Sequence, residues 1–181
     1  AAGELDLDND ESNIEQLPLD KVIKCLRSLL QDPAVLKIGQ NIKYDFVILA
    51  RHGIRLTPID DTMLLSYALE AGLHRHGMDE LSQLHLGHKP IPFKEIAGSG
   101  KSQITFDQVP VDKATEYAAE DADVTGRLHR VLKPQLAEKH RAGVYETLER
   151  PLVPVLADME MAGIKVDRTV LARLSATFAK R

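Results

Sequence analysis

Asp121 is the residue in this sequence whose position points most directly to chemistry. The residues from Val111 to Leu132 are predicted to form a helix, because apolar residues recur there at steps of three and four. Asp121 lies within this apolar stripe, one helical turn after Tyr117. A carboxylate on the inner face of a helix is costly unless it meets a cation. The position therefore predicts a nearby metal ion or, as the structural alternative, a buried ion pair or helix cap.

A second aspartate favours the metal. Asp45 is predicted to lie near the start of a helix that follows a short apolar strand, on the inner side beside Phe46. Two converging carboxylates and a tyrosine suit a hard divalent cation, which prefers oxygen ligands. The same set suits phosphodiester cleavage with two metal ions. Tyr117 would position the attacking water, since a phenol with a pKa of about 10 is a poor base near neutrality.

The elements that position these residues follow from periodicity and from the Pro and Gly residues. A helix over residues 111–132 would end where Pro134 interrupts or kinks the chain. Residues 88–110 are rich in Gly, Pro, Ser and Lys and are expected to form a long functional or mobile loop with a helical turn near Phe93–Ala97. Residues 1–18 are expected to form a loop or frayed end. The other predicted helices are Leu19–Gln31, the Asp45 helix ending near Gly53, Thr62 to about Ala71, Asp79–Leu86, about Val144–Ala162 and Thr169–Ala179, and the predicted strands are Val35–Ile38, Ile59–Thr62 and Ile164–Asp167.

Composition narrows the class of protein. A chain of 181 residues with 44% hydrophobic content forms one domain, or one domain and a piece of another. The net charge of −4 argues against a strong grip on nucleic acid that is independent of sequence. The single cysteine, Cys25, excludes an intramolecular disulfide and a multi-cysteine zinc site, and we expect it to be buried and inert. With no signal peptide and no apolar run long enough for a bilayer, the sequence predicts a cytoplasmic protein with no membrane partner.

The histidines give a weaker signal. The chain has 7 histidines, among them His74, His76, His85 and His88. None of these forms the pair four residues apart, with an intervening glutamate, that a zinc protease helix uses. Histidines on the surface or in loops are therefore the favoured interpretation.

Several separate blocks resemble one family, the 3′–5′ proofreading exonuclease domain of bacterial DNA polymerase I (family A). Ribonuclease D-like exonucleases share the Asp and Tyr-x-x-x-Asp residues, but the segment Glu149–Leu156 argues against them. The resemblance implies an α/β chain of RNase H-like fold, with a mixed sheet flanked by helices. The blocks that resemble the exonuclease domain are Gly39–Asp45, Glu95–Gly98, Ile104–Phe106 and Tyr117–Thr125, and those that resemble the start of the polymerase domain are Glu149–Leu156 and Met161–Asp167.

The resemblance also implies domains and roles. Residues 1–140 would be the C-terminal part of the exonuclease domain, and residues 141–181 the beginning of the polymerase domain. The activity would be removal of mismatched 3′-terminal nucleotides from single-stranded 3′ ends of DNA with two Mg²⁺ or Mn²⁺ ions. Asp121 would ligate the tightly held ion, Asp45 would serve the second ion directly or through water, and Tyr117 would orient the water. The path of the single strand would be lined by Gln40, Asn41, Tyr44 and Phe106.

One departure from the family pattern limits this expectation. The family has an Asp-x-Glu pair on its first strand, whereas the Asp158-Met-Glu160 of this chain lies in the C-terminal helical stretch. We therefore expect the first strands to be missing, so that the isolated chain is inactive and holds no ion. An open sheet edge would favour self-association, and the remainder of the polymerase chain would be the natural partner. The alternative function is a catalytically dead domain that braces the polymerase module, with a generic helical interaction domain as a third interpretation.

Overall fold

The computed structural model describes residues 17–180, apart from the side chain of Lys101. Most of this part of the chain is helical, with single 3₁₀ turns at Gly100–Ser102 and Phe106–Gln108 and a π-helical segment at Tyr145–Glu149. No helix in it is both long enough and apolar enough to cross a bilayer. In chain order the elements are α1 (Leu19–Gln31), β1 (Lys37–Gly39), α2 (Lys43–Arg51), β2 (Ile59–Asp61), α3 (Thr62–Glu70), α4 (Met78–Leu86), α5 (Phe93–Ala97), α6 (Val111–Glu138), α7 (Ala142–Val144), α8 (Arg150–Ala162) and α9 (Arg168–Phe178).

The two strands form a small parallel sheet. Lys37 of β1 lies opposite Ile59 of β2, and Gly39 lies opposite Asp61. Helix α2 makes the crossover that a parallel pair requires. Within residues 17–180, β1 pairs with β2 alone, so one edge of β1 has no partner strand there.

Two apolar clusters build the core. The first joins α3, α4, α6 and the π-helical segment, and the second joins α2, β2 and α8. The buried face of α6 follows the predicted stripe, and it begins immediately after Asp121, which therefore lies at the edge of the core. The main residues of the first cluster are Leu65, Leu81, Val124, Leu128, Leu132 and Tyr145, and those of the second are Phe46, Val47, Ile59, Val153 and Ala157.

Helix α1 has the predicted bounds but not the predicted burial. None of its residues is fully buried, and Cys25 is exposed, so the expectation of an inert buried thiol is wrong. The helix is attached along one edge, where Leu30 packs on the second cluster and Arg27 donates hydrogen bonds to the Gly53 and His52 carbonyls at 2.6 and 3.1 Å. Of its other apolar residues, Val22 and Ile23 are partly buried, whereas Leu19, Leu26 and Leu29 are exposed.

Three further expectations can be compared with the structure. Pro134 does not end the helix, since α6 continues to Glu138 with Leu132 and Leu136 buried on both sides of the proline. Residues 164–167 do not form a strand, because no strand in the described chain lies beside them. The predicted turn Phe93–Ala97 in the long loop is confirmed as α5. Residues 1–16 of the predicted N-terminal loop lie outside the described residues.

Candidate active site

A buried aspartate shapes the turn that leads from β1 into α2. Asp61, at the end of β2, accepts hydrogen bonds from the backbone N–H groups of Asn41 and Ile42, each at 2.9 Å. The same carboxylate caps α3 by accepting from the Met63 N–H at 2.9 Å. Asn41 adopts a φ of 56°, a left-handed conformation that asparagine tolerates better than most residues. This turn fixes the start of α2, and Asp45 lies in the first turn of that helix.

A groove of about 570 Å³ lies between β1, α2 and α6. Asp45 of α2 and Asp121 of α6 both line it, together with Gln40 from the turn after β1. The structure therefore brings together two of the predicted metal ligands from distant parts of the chain. The rest of the wall is largely apolar and includes Leu30, Ile38, Ile42, Leu49, Leu56 and Met78.

The environment of both carboxyl groups disfavours their charge. Burial raises the pKa of Asp121, the Tyr117 hydroxyl offsets part of this rise, and the nearby charges of Asp79 and Glu120 raise the pKa further. Asp45 is exposed as a residue, against the expectation that it points inward, but the atoms around its carboxyl group exclude enough water to raise its pKa as well.

Neither Asp45 nor Asp121 has an ion-pair partner among the described side chains. The alternative of a structural ion pair at Asp121 is therefore not met in this part of the chain. Two uncompensated carboxylates beside one groove are a donor set that fits Mg²⁺ or Mn²⁺, because Mg²⁺ is commonly held by one or two carboxylates and substrate phosphates.

Tyr117 lies one turn before Asp121 on α6 and is half-buried. Burial and the charge of Asp121 raise the pKa of Tyr117 to about 12. The phenol is therefore protonated at neutral pH. It can donate or accept a hydrogen bond, but it cannot serve as a general base there.

Three aromatic rings form a cluster beside this site. The ring centroids of Phe93 and Phe106 are 6.3 Å apart and stacked, and each lies 6.0 to 6.1 Å from the Tyr117 ring. Phe93 and Phe106 are 39% and 43% exposed. Sequence reasoning named Phe106 but missed Phe93, although Phe93 opens the helical turn of a loop that was expected to be functional. Exposed aromatic faces of this kind can stack with bases.

The other predicted substrate residues are dispersed. Gln40 lines the groove, and its side-chain amide donates to the His76 carbonyl at 2.9 Å and accepts from the Thr62 hydroxyl. Asn41 borders a separate pocket of about 110 Å³ next to α8. Tyr44 is 67% exposed and does not line the groove. The roles of all these residues in binding DNA stay predictions.

Glu120 is a positioning residue that sequence reasoning missed. It lies off the apolar stripe of the helix, yet its side chain is only 19% exposed. Its carboxylate accepts hydrogen bonds from His88 Nε2 at 2.8 Å and from the Ile91 N–H at 2.6 Å. It thereby ties the loop before α5 to α6, next to Asp121. The sequence offered no signal for this contact, since the two partners come from an aperiodic loop.

Comparison with known proteins decides the family. A model described as 3′–5′ exonuclease matches residues 6–137. The chain belongs to the 3′–5′ exonuclease family. The DNA polymerase I of Rhizobium leguminosarum is 57% identical over 165 residues, which cover 91% of this chain and 16% of that protein. The DNA polymerase I of Pseudomonas aeruginosa is 48% identical over 164 residues, 87% of this chain and 18% of that protein.

These relatives confirm the resemblance to the exonuclease domain of bacterial DNA polymerase I. The chain spans only about 16 to 18% of their length. Solved structures of the same fold include Brucella melitensis NrnC bound to pGG, with a TM-score of 0.64 at 24% identity over 79% of this chain and 67% of that one. The POL domain of Pol1 from M. smegmatis, in complex with DNA primer-template and dNTP, has a TM-score of 0.70 at 23% identity over 91% of this chain and 25% of that one. The predicted RNase H-like α/β exonuclease fold is thus confirmed.

Proposed function

We propose that this chain is the exonuclease region of a bacterial DNA polymerase I, and that within the full-length polymerase it hydrolyses 3′-terminal nucleotides of DNA. The observation that carries the proposal is that Asp45 and Asp121, from separate helices, line one groove. Their unpaired charges and the family membership of the chain support it.

Residues in the groove and beside it have separate roles in hydrolysis. Asp121 and Asp45 are the ligands for two divalent ions, Mg²⁺ or Mn²⁺, which when bound supply an activated water and stabilise the leaving oxygen. Tyr117 stays protonated and orients that water by hydrogen bonding, because its pKa is about 12. Gln40 is fixed by its hydrogen bond to the His76 carbonyl and presents its amide to the strand that enters the groove.

The substrate is a single-stranded 3′ end. Phe93 and Phe106 supply aromatic faces beside the groove, and stacking on them tolerates any base. Asn41 and Tyr44 contact the strand outside the groove. A net charge of −4 gives this chain little general attraction for DNA, so the remainder of the polymerase chain supplies most of the grip.

The division of the chain and its location are part of the same proposal. Residues 1–140 form the C-terminal part of the exonuclease domain, and residues 141–181 begin the polymerase domain. The end of the family match at residue 137 supports this boundary. The bacterial polymerases among the relatives support a cytoplasmic location.

Two features favour a site that is complete only within the larger parent protein. Among residues 17–180, the groove has two carboxylates where the family pattern requires four, so the isolated chain binds metal weakly and is inactive alone. The open edge of β1 would accept a further strand, either from elsewhere in the parent protein or from a second copy of this chain. The same shortage of carboxylates favours the second candidate function, a catalytically dead domain that braces the polymerase.

The test compares Asp121→Asn with unchanged protein on a 5′-labelled single strand in Mg²⁺ and in Mn²⁺. Asp112→Asn is the matched control, because Asp112 is an exposed aspartate on the same helix. Both are made in the 181-residue chain and in a form extended at its N terminus. We expect stepwise loss from the 3′ end in the extended form, retained by Asp112→Asn and abolished by Asp121→Asn.

Activity that survives Asp121→Asn would contradict the proposed site. An extended form that is folded but does not degrade DNA with either ion would favour the bracing role instead. Activity of the 181-residue chain by itself would show that two carboxylates suffice.

A further inference from the structure

A second set of metal-ligating side chains lies away from the groove, where α3 ends and α4 ends. Glu70 is the last residue of α3, His74 follows in the connecting loop, and His85 lies in the last turn of α4. Their ligand atoms all lie within 4.8 Å of one another. Glu70 Oε2 is 2.9 Å from His74 Nε2 and 3.8 Å from His85 Nε2.

The hydrogen bonds of His74 direct one nitrogen toward this cluster. Its Nδ1 lies 2.7 Å from the Arg75 carbonyl oxygen, which can only accept, so Nδ1 carries a proton. Its Nε2 faces the Glu70 carboxylate, which also only accepts. The Nε2 must therefore carry a second proton or direct its lone pair at a cation shared with Glu70. Ligating histidines are commonly oriented in this way, with the other nitrogen donating to a backbone carbonyl.

His85 provides an independent observation. Its Nε2 is fully buried and has no hydrogen-bond partner among the residues that the structure describes. A buried polar atom without a partner is costly and calls for an explanation. A cation placed between His85, His74 and Glu70 would satisfy this atom.

We propose that Glu70, His74 and His85 form a binding site for a transition-metal ion, with Zn²⁺ as the best fit. Two imidazole nitrogens and one carboxylate oxygen are borderline ligands that suit Zn²⁺ and not Mg²⁺. In a tetrahedral zinc site with bonds of about 2.0 to 2.2 Å, ligand atoms are about 3.3 Å apart, and the observed separations lie on both sides of that value. Three protein ligands leave a fourth position for water.

The surroundings hold Glu70 in place for this role. Its other oxygen, Oε1, accepts a hydrogen bond from Lys139 Nζ at 3.0 Å, which leaves Oε2 for the ion.

The ion would fix the loop between α3 and α4. That loop carries His76, whose carbonyl accepts the hydrogen bond from Gln40 at the groove. Zinc binding would therefore restrain a residue that lines the candidate active site without occupying it.

The experiment uses the 181-residue chain after removal of metal with a chelator. Zn²⁺ is titrated in by calorimetry at neutral pH with excess Mg²⁺ present, and Co²⁺ replaces it for an absorption spectrum. We expect one tightly bound Zn²⁺ that Mg²⁺ does not displace, and a Co²⁺ spectrum typical of tetrahedral coordination. Loss of an outer-shell partner alone lowers metal affinity about 10- to 100-fold, so His74→Asn should lower it at least about 100-fold.

Two controls separate this site from other ligands. His52→Asn removes an exposed histidine outside the cluster and should leave binding unchanged. Asp121→Asn tests whether the groove captures the ion and should also leave the tight site intact. His85→Asn should act as His74→Asn does; circular dichroism checks its fold, because His85 is packed in α4. Absence of tight binding to the unchanged chain, or equal affinity in His74→Asn, would overturn the proposal.

Discussion

Asp121 is half-buried beside Asp79 and Glu120, and its pKa is raised by burial. A carboxyl whose pKa is raised on folding costs stability once the pH rises above that pKa. In the absence of divalent ions, Asp121→Asn should therefore unfold at a higher temperature than the unchanged chain at neutral pH. The advantage should shrink toward about pH 4, where Asp121 is increasingly protonated. Thermal unfolding in chelator at several pH values measures this.

The control for this stability prediction is Asp112→Asn at an exposed residue in the first turn of the same helix, which should lower the midpoint slightly because a carboxylate there interacts favourably with the helix dipole. A lower midpoint for Asp121→Asn at neutral pH would mean that the carboxylate has a stabilising partner. The same substitution is expected to abolish exonuclease activity. A residue that costs stability while serving activity is typical of a binding site for a charged ligand.

Phe93 should contribute directly to binding of a single strand. A base stacked on an aromatic side chain is worth about 1 to 3 kcal/mol. Phe93→Ala should therefore weaken binding of a labelled oligonucleotide about fivefold or more, measured by fluorescence anisotropy in an N-terminally extended form without divalent ions. Phe93→Tyr keeps a ring and should retain binding. Leu148→Ala, at an exposed apolar residue elsewhere, is the control, and equal affinities for it and Phe93→Ala would refute the role.

The sequence predicted the residues that lie on periodic elements and missed those that depend on contacts between elements. Asp121 and Tyr117 could be placed because the stripe of α6 is a local pattern. Glu120 could not, because its partners come from a loop without periodicity. The burial of Asp45 was overestimated for the same reason, since only the arrangement of α2 beside the groove decides its exposure.

At the scale of the elements, Asp60 joins β2 to three parts of the chain. It is 1% exposed, and its carboxylate accepts hydrogen bonds from His129 Nε2 at 2.8 Å and from the Tyr145 hydroxyl at 2.9 Å. Lys133 and Arg150 form ion pairs with it at 3.1 and 3.5 Å. Burial would raise the pKa of Asp60, but the hydrogen bonds from His129, Lys133 and Tyr145 together outweigh it and lower the pKa.

Asp60→Asn should lower the free energy of unfolding by about 1 to 3 kcal/mol, because it removes a buried carboxylate that accepts hydrogen bonds from partly exposed cationic side chains and a buried tyrosine hydroxyl. An aspartate with a lowered pKa stabilises the fold above its unfolded pKa of about 3.9, and this stabilisation is lost as the pH falls through the folded pKa. The difference between the two proteins should therefore shrink in acid. Urea unfolding at neutral and acidic pH measures it.

The matched control is Asp158→Asn, because the carboxylate of Asp158 pairs with Arg55 on the surface. A surface pair of this kind contributes about 0 to 1 kcal/mol. Equal effects of the two substitutions at neutral pH would mean that the contacts of Asp60 stabilise the fold no more than a surface ion pair does.

The bounds of the helices could be predicted from the sequence more accurately than their packing. The bounds of α1 were predicted because Asp32 and Pro33 end a helical pattern, but its exposure depends on which elements lie beside it. The predicted strand at residues 164–167 failed for a related reason. A strand needs a partner, and apolar alternation by itself does not supply one.

At the scale of the whole molecule, the segment after α6 divides into a packed part and an exposed part. Tyr145, Val153 and Ala157 are buried in the two clusters of the core. Every residue from 163 to 180 is exposed. Up to about residue 162, this segment therefore packs in the same core as the preceding elements, although it follows the domain boundary proposed at residue 140.

Two truncations test this division. Removal of residues 163–181 should change the free energy of unfolding by no more than about 0.5 kcal/mol, because every side chain from residue 163 to residue 180 is exposed. Removal of residues 141–181 also takes away Tyr145 and Val153, and each large buried apolar side chain is worth about 1.5 to 3 kcal/mol. It further leaves Asp60 without its Tyr145 and Arg150 partners. Against a typical total stability of about 5 to 15 kcal/mol, the shorter chain should lose cooperative unfolding.

Thermal and urea unfolding of both truncated forms locate the structural boundary. Equal midpoints would place the boundary near residue 140. Loss of the unfolding transition in the shorter form alone would place it after α8.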